Sequence, residues 1–418
     1  MLFVRKGFHC NRSGQNKISS LRSGTYNLAG LALTGATVVS AFEPSELLLI
    51  QKGPVALKPQ FELTETYDDN VTYREEDKEA DFKTVFSPGL TFQWGDLTLN
   101  YLELTYFYDR VVYIDLADLN ADQHRVSFVS HFEKRRFTLE GRDEYQHLVS
   151  PLGGGISIGG QSVARDLWDD VYHLGYELSD KTAIYFEPYH STVNYEEGVN
   201  LYDSFTLKGT VGFEYKAFSR TSFFGEIYYG RTKHDVNTEL LAQYPTAEYV
   251  GSFVGARGNF TEKLTGSVKG GYEYRWYRND PEDLNAPVFE ISLTERFTEN
   301  TVLNLIYSRR VYESVQFVRS SYTASTVAAS LLQNIGADGR LRARLDASYL
   351  STAYEDNPAY IVGEREDQIV NTRLTFTYDI KLWLRAFGSY NFEYLESNEP
   401  TVTDYLVNRF TLGLQLGY

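Results

Sequence analysis

The chain has 418 residues, with 40 Lys and Arg against 56 Asp and Glu, and a formal net charge of -16. That acidity repels phosphate, so nucleic acid is excluded as a partner. A mean hydropathy of -0.36, with no run of about 18 apolar residues, excludes a bundle of transmembrane helices.

The first segment, 1–41, reads as a signal peptide. Arg5, Lys6, Arg12, Lys17 and Arg22 carry its charge, no acid interrupts it, and Leu31 to Val39 is a short apolar core. Val39-Ser40-Ala41 offers a small-residue cleavage site. Its removal leaves 35 Lys and Arg against 56 Asp and Glu, a net -21. It also removes Cys10, the single cysteine, and with it any disulfide or thiolate site. Residues 42–56 read as a short periplasmic segment, too small for a plug or a separate domain.

From residue 57 to 418 the chain reads as eighteen strands. In order they are 57–71, 81–94, 97–113, 123–133, 136–148, 164–178, 182–195, 202–217 and 221–231. Then follow 247–260, 263–278, 287–298, 301–311, 320–333, 340–354, 367–378, 381–394 and 404–418. The inventory suits strands, since 33 Tyr and 26 Phe stand against one Met. Leu264 to Trp276, Leu341 to Tyr349 and Thr372 to Tyr378 alternate apolar and polar residues, as a strand with one apolar face requires. Tight joints such as Gly95-Asp96, Lys134-Arg135 and Asp379-Ile380 alternate with longer loops such as 149–163, 232–246 and 355–366. Short turns on one side and long loops on the other are expected of a transmembrane antiparallel β-barrel. A soluble sandwich has no reason to segregate them, and a propeller would repeat every 40–50 residues or so.

The last strand is the plainest. Phe410, Leu412, Leu414, Leu416 and Tyr418 take every second place. Such a strand suits closure against the first strand and recognition by the barrel-assembly machinery.

Two short motifs carry a resemblance. Gly53 to Val71, which ends Tyr67-Asp68-Asp69-Asn70-Val71, resembles the opening of the β-barrel porin type 2 family. The end is similar in Tyr390-Asn391-Phe392-Glu393-Tyr394 and in Tyr405-Leu406-Val407-Asn408-Arg409. The resemblance implies an outer-membrane barrel of a Gram-negative cell, in some members linked to exopolysaccharide export, with export-complex partners. It implies no functional residues.

The pleat itself nominates the lumen. Charges facing lipid near the midplane cost about 2–4 kcal/mol. Lys208, Glu214, Lys269, Glu273, Arg275, Arg342, Arg344, Asp346, Arg373, Arg385, Glu393 and Arg409 are therefore expected to line the pore. Those ions either pair across strands or, at Arg342, Arg344, Arg373 and Arg385, form a basic stripe for anionic solutes. Asp68-Asp69-Asn70 has oxygens that suit calcium but reads as a turn. Gly153 to Gly160 reads as a flexible outer loop, with a fold into the lumen as a constriction kept as the alternative. His190 and Ser191 point to opposite faces and cannot pair as base and nucleophile.

The reading is a passive or export channel for hydrophilic solutes, saccharides among them, in the bacterial outer membrane. No enzymatic activity, cofactor or metal is expected. The alternatives are a non-conducting structural or adhesive surface barrel and an outer-membrane hydrolase.

Overall fold

The computed structural model describes residues 49–417 except 98, 154–160, 197–198, 200, 236–245, 278–282, 315–318, 337–338, 357–363 and 401. The predicted signal segment, residue 418 and most of the predicted Gly-rich loop lie outside the described residues.

A short strand, β1 (Ile50–Lys52), folds back on the start of β2 (Val55–Asp68). The sequence reading did not anticipate it. Then come β3 (Asp81–Gly95), β4 (Tyr101–Tyr113), β5 (Ala121–Lys134), β6 (Phe137–Pro151) and β7 (Ser162–Ser179). They continue through β8 (Thr182–Tyr195), β9 (Asp203–Tyr215), β10 (Thr221–Asp235), β11 (Ala247–Asn259), β12 (Leu264–Tyr277) and β13 (Leu284–Arg296). The last are β14 (Thr301–Glu313), β15 (Arg319–Ile335), β16 (Leu341–Asp356), β17 (Arg365–Lys381), β18 (Leu384–Ser397) and β19 (Tyr405–Leu416). Each strand from β2 onward pairs antiparallel with the next, and β19 pairs back onto β2, closing an 18-stranded barrel. Closure satisfies the edge groups that lipid cannot. Among the described residues no helix is long and apolar enough to cross a membrane.

The predicted alternation of connections is present. Two to five residues join β3 to β4, β5 to β6, β7 to β8 and so on, whereas five to twelve join the other pairs. One predicted joint moves. Asp379-Ile380 is not the turn; Asp379 is a strand residue, the ladder shifts register between Asp379 and Lys381, and Leu382-Trp383 makes the turn. Asp379 is held in the strand by Arg342 and Arg385, which a local reading of turn residues does not register.

The outer face is apolar. Phe213, Val211 and Leu207 on β9, Ile227 on β10, Val254 on β11 and Leu412 on β19 are all exposed. This is the lipid-facing band that a spanning barrel needs. Rings such as Trp94, Tyr176, Tyr215 and Tyr378 stand near the turn end, and Phe82 and Tyr274 near the loop end. They match the two aromatic girdles of membrane barrels.

Inside, large rings lie flat across glycines on the adjacent strand. Tyr228 faces Gly251 and Tyr249 faces Gly230, and a Cβ added to either glycine would sit 2.2 Å from the ring. The glycines thus let tyrosines line the wall without crossing the lumen. Gly251→Val is expected to destabilise the barrel by about 1–3 kcal/mol, through overpacking against Tyr228. Urea unfolding in detergent would measure it.

Candidate channel interior

Register alone decides which side chains face the lumen. Pairing through β8 to β14 puts Tyr185, Glu226, Tyr228, Lys269, Glu273, Glu290 and Arg310 on the face opposite the exposed Ile227, Val268 and Phe289. By the same parity all twelve predicted residues project inward.

They fall into three groups. In the first, on β9 to β14, Lys269 Nζ lies 3.1 Å from both Glu226 and Glu290, and Arg310 also pairs with Glu290. Glu273 accepts from Arg275 at 2.7 Å and from the Tyr228 hydroxyl at 2.8 Å, while Arg275 also reaches Glu313. Tyr185 donates to Glu226 at 2.7 Å. Cations stack on rings here, with Lys208 5.1 Å from the Tyr189 centroid and Arg275 4.4 Å from that of Tyr249. Glu214 pairs with Arg257 nearer the turns.

The second group sits toward the turn end of β16 to β18. Arg342 donates to Asp379 at 2.9 Å, Arg385 to the same carboxylate at 2.8 Å, and Arg344 to Asp346 at 2.8 Å. Arg373 lies opposite Asp346 and donates to Asn391 at 3.4 Å. Three of the four predicted stripe arginines thus pair with two aspartates, while Arg373 faces Asp346 across the ladder.

The third group is the closing seam, and here the two resemblance motifs meet. Arg409 Nε donates to Asp68 at 2.6 Å and its Nη1 to Glu393 at 3.0 Å. Tyr405 donates to Glu393 at 2.8 Å. Asn408 donates from both its backbone and its side chain to Asp69, each at 2.7 Å, and accepts from Tyr390 at 2.7 Å. Asn70, fully buried, donates to the Leu406 carbonyl at 3.1 Å and receives the Arg74 amide at 2.9 Å. Asp68-Asp69-Asn70 is therefore a clasp between first and last strands. Its oxygens are committed to hydrogen bonds, and among the described residues no group of three His, Cys, Asp or Glu is placed to hold a metal ion.

The interior is graded along its axis. The fully buried side chains include Arg365, Leu395, Val163, Val288 and Val407, and each lies within four residues of the loop end of its strand. Described loop residues pack against them. Tyr73 stacks edge-on to Tyr405, with ring centroids 4.9 Å apart, and lies 5.2 Å from the Arg409 guanidinium. Burial pushes its phenol above the ordinary range, so it stays neutral. Val71 joins Val111, Tyr113 and Ala121 in a small core. Gly153 sits so close to Tyr73 that a Cβ would be 2.7 Å from its ring. At the turn end the same inner face is open, as the partly exposed Arg342, Arg344 and Arg385 show.

Several inward residues escape sequence reasoning: Glu226, Glu290, Arg310, Glu313 and the fully buried Arg365–Asp367 pair, which bonds at 2.9 and 2.6 Å. Phe223-Phe224 and Tyr228-Tyr229 put aromatics on both faces of β10, and Arg309-Arg310 puts arginine on both faces of β14. Neither strand shows a phase. His190 and Ser191 do face opposite sides, as their parity requires.

A closed 18-stranded barrel with an apolar girdled exterior and a polar interior is an outer-membrane barrel of the porin class. The family model described as "Putative beta-barrel porin 2" matches residues 202–418, just over half of the chain, and the chain belongs to that family. The opening motif lies before the matched span. Solved structures with a similar fold include Pseudomonas aeruginosa OccK3 (OpdO), at 12% identity and TM-score 0.46, covering 86% of this chain and 95% of that one. Acinetobacter baumannii OccAB4 follows at 13% and 0.46, covering 87% and 98%. Pseudomonas aeruginosa OpdK, solved with vanillate, stands at 11% and 0.45, covering 87% and 99%. No curated protein matches the chain.

Proposed function

We propose that this porin passes hydrophilic solutes, saccharides foremost, by diffusion through a water-filled lumen that narrows at the loop end. The supporting observation is the lining. Flat tyrosine rings and cross-paired charges offer stacking faces and hydrogen-bonding groups without a strong net field. A polyhydroxylated solute trades its water for such a surface at little cost, whereas an ion gains less from charges already paired. A mild anion preference is expected at the turn-end mouth, where Arg342, Arg344, Arg373 and Arg385 outnumber Asp346 and Asp379. The work done is passage and not chemistry. The lipid-facing row of Phe410, Leu412 and Leu414 fits handling by the barrel-assembly machinery, and the turn-end mouth is where an export partner would dock.

The test is liposome swelling with neutral sugars of increasing size, beside single-channel recording of the refolded protein under a salt gradient. Swelling with a size cut-off, stepwise conductance and weak anion selectivity are expected. A folded, heat-modifiable barrel that neither swells liposomes nor conducts would overturn the reading in favour of a structural or adhesive surface barrel.

A further inference from the structure

The apolar outer band is broken in one sector. On β6 and β7 the outward column carries Asp143, Tyr145 and His147 opposite Asp170, Trp168 and Asp166. On β8, His190 faces Asp170 and Thr192 faces Trp168. On β5, His124 faces His147. These groups are knitted together. His190 Nδ1 lies 2.7 Å from Asp170 and its Nε2 2.8 Å from the Thr192 hydroxyl. His147 lies 2.9 Å from Asp166, which Tyr145 also reaches at 2.8 Å. Tyr172 donates to Asp143 at 2.7 Å, and Tyr106 lies 2.9 Å from His124.

The lower part of the sector, Asp143 with Asp170 and His190, lies within the membrane band, and its His147–Asp166 row reaches the level of the loop-end rings. In the rows of Asp143 and Tyr145 the neighbouring residues stay apolar, with Phe128 and Val126 on β5 and Leu207 and Phe205 on β9, whereas the row of His147 and Asp166 runs on into His124 and Asn194. On β9 the apolar column continues for ten residues, from Tyr215 to Phe205, whereas on β6 it stops six residues above Phe137. Elsewhere outward charges come singly, as Glu65 bonded to Thr84 or Arg309 to Ser325, or as pairs of opposite sign, Arg110 with Asp122 and Arg231 with Glu248. Among the described residues no other outward pair within the band sets two carboxylates face to face. Two facing carboxylates at mid-height have no favourable state against acyl chains. A surface that lipid disfavours is one that protein covers.

We propose that this sector of the outer wall is the contact face between two copies of the chain in the membrane, related by a two-fold axis. A two-fold contact requires one patch to complement itself. This patch holds both kinds of group, carboxylates from Asp143, Asp166 and Asp170 beside the imidazoles of His124, His147 and His190, the Trp168 indole and the tyrosine phenols. A patch of one sign would call for a foreign partner. The size also fits. Four strands at about 4.8 Å spacing and about eight residues of height span roughly 500 Å² of wall, which with the rim of Phe137, Tyr176, Ile184 and Phe186 meets the lower bound of a specific interface, about 1,000 Å² over both partners.

The test places Trp168→Cys, half-exposed at the centre of the patch, in a Cys10→Ser background and adds a short bismaleimide to outer-membrane fractions and to the refolded protein. Leu345→Cys, outward on β16 and nine strands away, is the control. A covalent dimer from Trp168→Cys alone, with wild-type protein in detergent at twice the chain mass by light scattering, is expected. An adduct with a different protein, or a monomeric mass and no adduct from a heat-modifiable barrel, would overturn the two-copy contact. Should Trp168→Cys fail to fold, the wild-type mass decides.

Discussion

Replacing Arg409 by alanine is expected to lower folding stability by about 3–5 kcal/mol, the cost of stranding buried carboxylates without their counter-charge. Asp68 and Glu393 both rely on this guanidinium, and the Arg409, Asp68 and Glu393 side chains are only 17%, 7% and 16% exposed. The loss falls at one of the two shortest ladders of the ring, the other being that of β13 with β14. β19 and β2 share eight paired residues, from Arg409–Asp68 to Leu416–Phe61, against twelve or more in most other ladders. Urea unfolding of the refolded barrel, followed by the heat-dependent gel shift, would measure it. A loss below about 1 kcal/mol would show that the seam is held by its backbone alone. The triple variant Arg409→Met, Asp68→Asn and Glu393→Gln separates charge from packing. Recovery of most of the stability is expected, because neutral groups of similar shape leave no orphaned ion.

The clasp also shows where sequence reasoning reached its limit. The phase of β12, β16 and β17 was legible because Val268, Leu345 and Leu374 alternate with charges, and a period of two has one solution when one face meets lipid. The loop asymmetry was legible for the same reason, since turns and loops differ in length and composition. The two motifs at 67–71 and 405–409 were visible as separate strings, but their contact joins residues 341 apart in the chain. No local pattern encodes that pairing; it follows from closure. Counter-ions were hidden in the same way, since Lys269 could be placed inward from β12 alone but Glu226 and Glu290 sit on β10 and β13. The outer-wall patch stayed hidden because Arg142-Asp143-Glu144 and Asp169-Asp170 carry charge on both faces of β6 and β7, which erases alternation where the surface departs from a plain lipid-facing wall.

Excising 72–78 and bridging Val71 to Glu79 with a short Gly-Ser linker is expected to raise single-channel conductance on the order of three-fold. The segment is poised for removal, because the Val71 amide already donates to the Glu79 carbonyl at 2.8 Å and so closes the neck of the loop. Within it Tyr73 is the inward anchor, lying against Tyr405 and Arg409 at the end of the barrel where the inner wall is buried. A narrow segment in series with a wide one dominates the resistance of a pore, so clearing the loop end changes conductance far more than a comparable change beside Arg342 at the open mouth. The clasp of Asp68 and Asp69 with Asn408 and Arg409 is left in place, so the seam should survive. Unchanged conductance would mean that the first loop does not constrict the lumen. Should the excision not refold, Tyr73→Ala tests the same point with the chain intact, and a smaller rise in the same direction is then expected. A rise in conductance would show the loop-end packing serving two ends, since Tyr73, expected to narrow the lumen, also helps to bury the closing strand's Tyr405 and Val407.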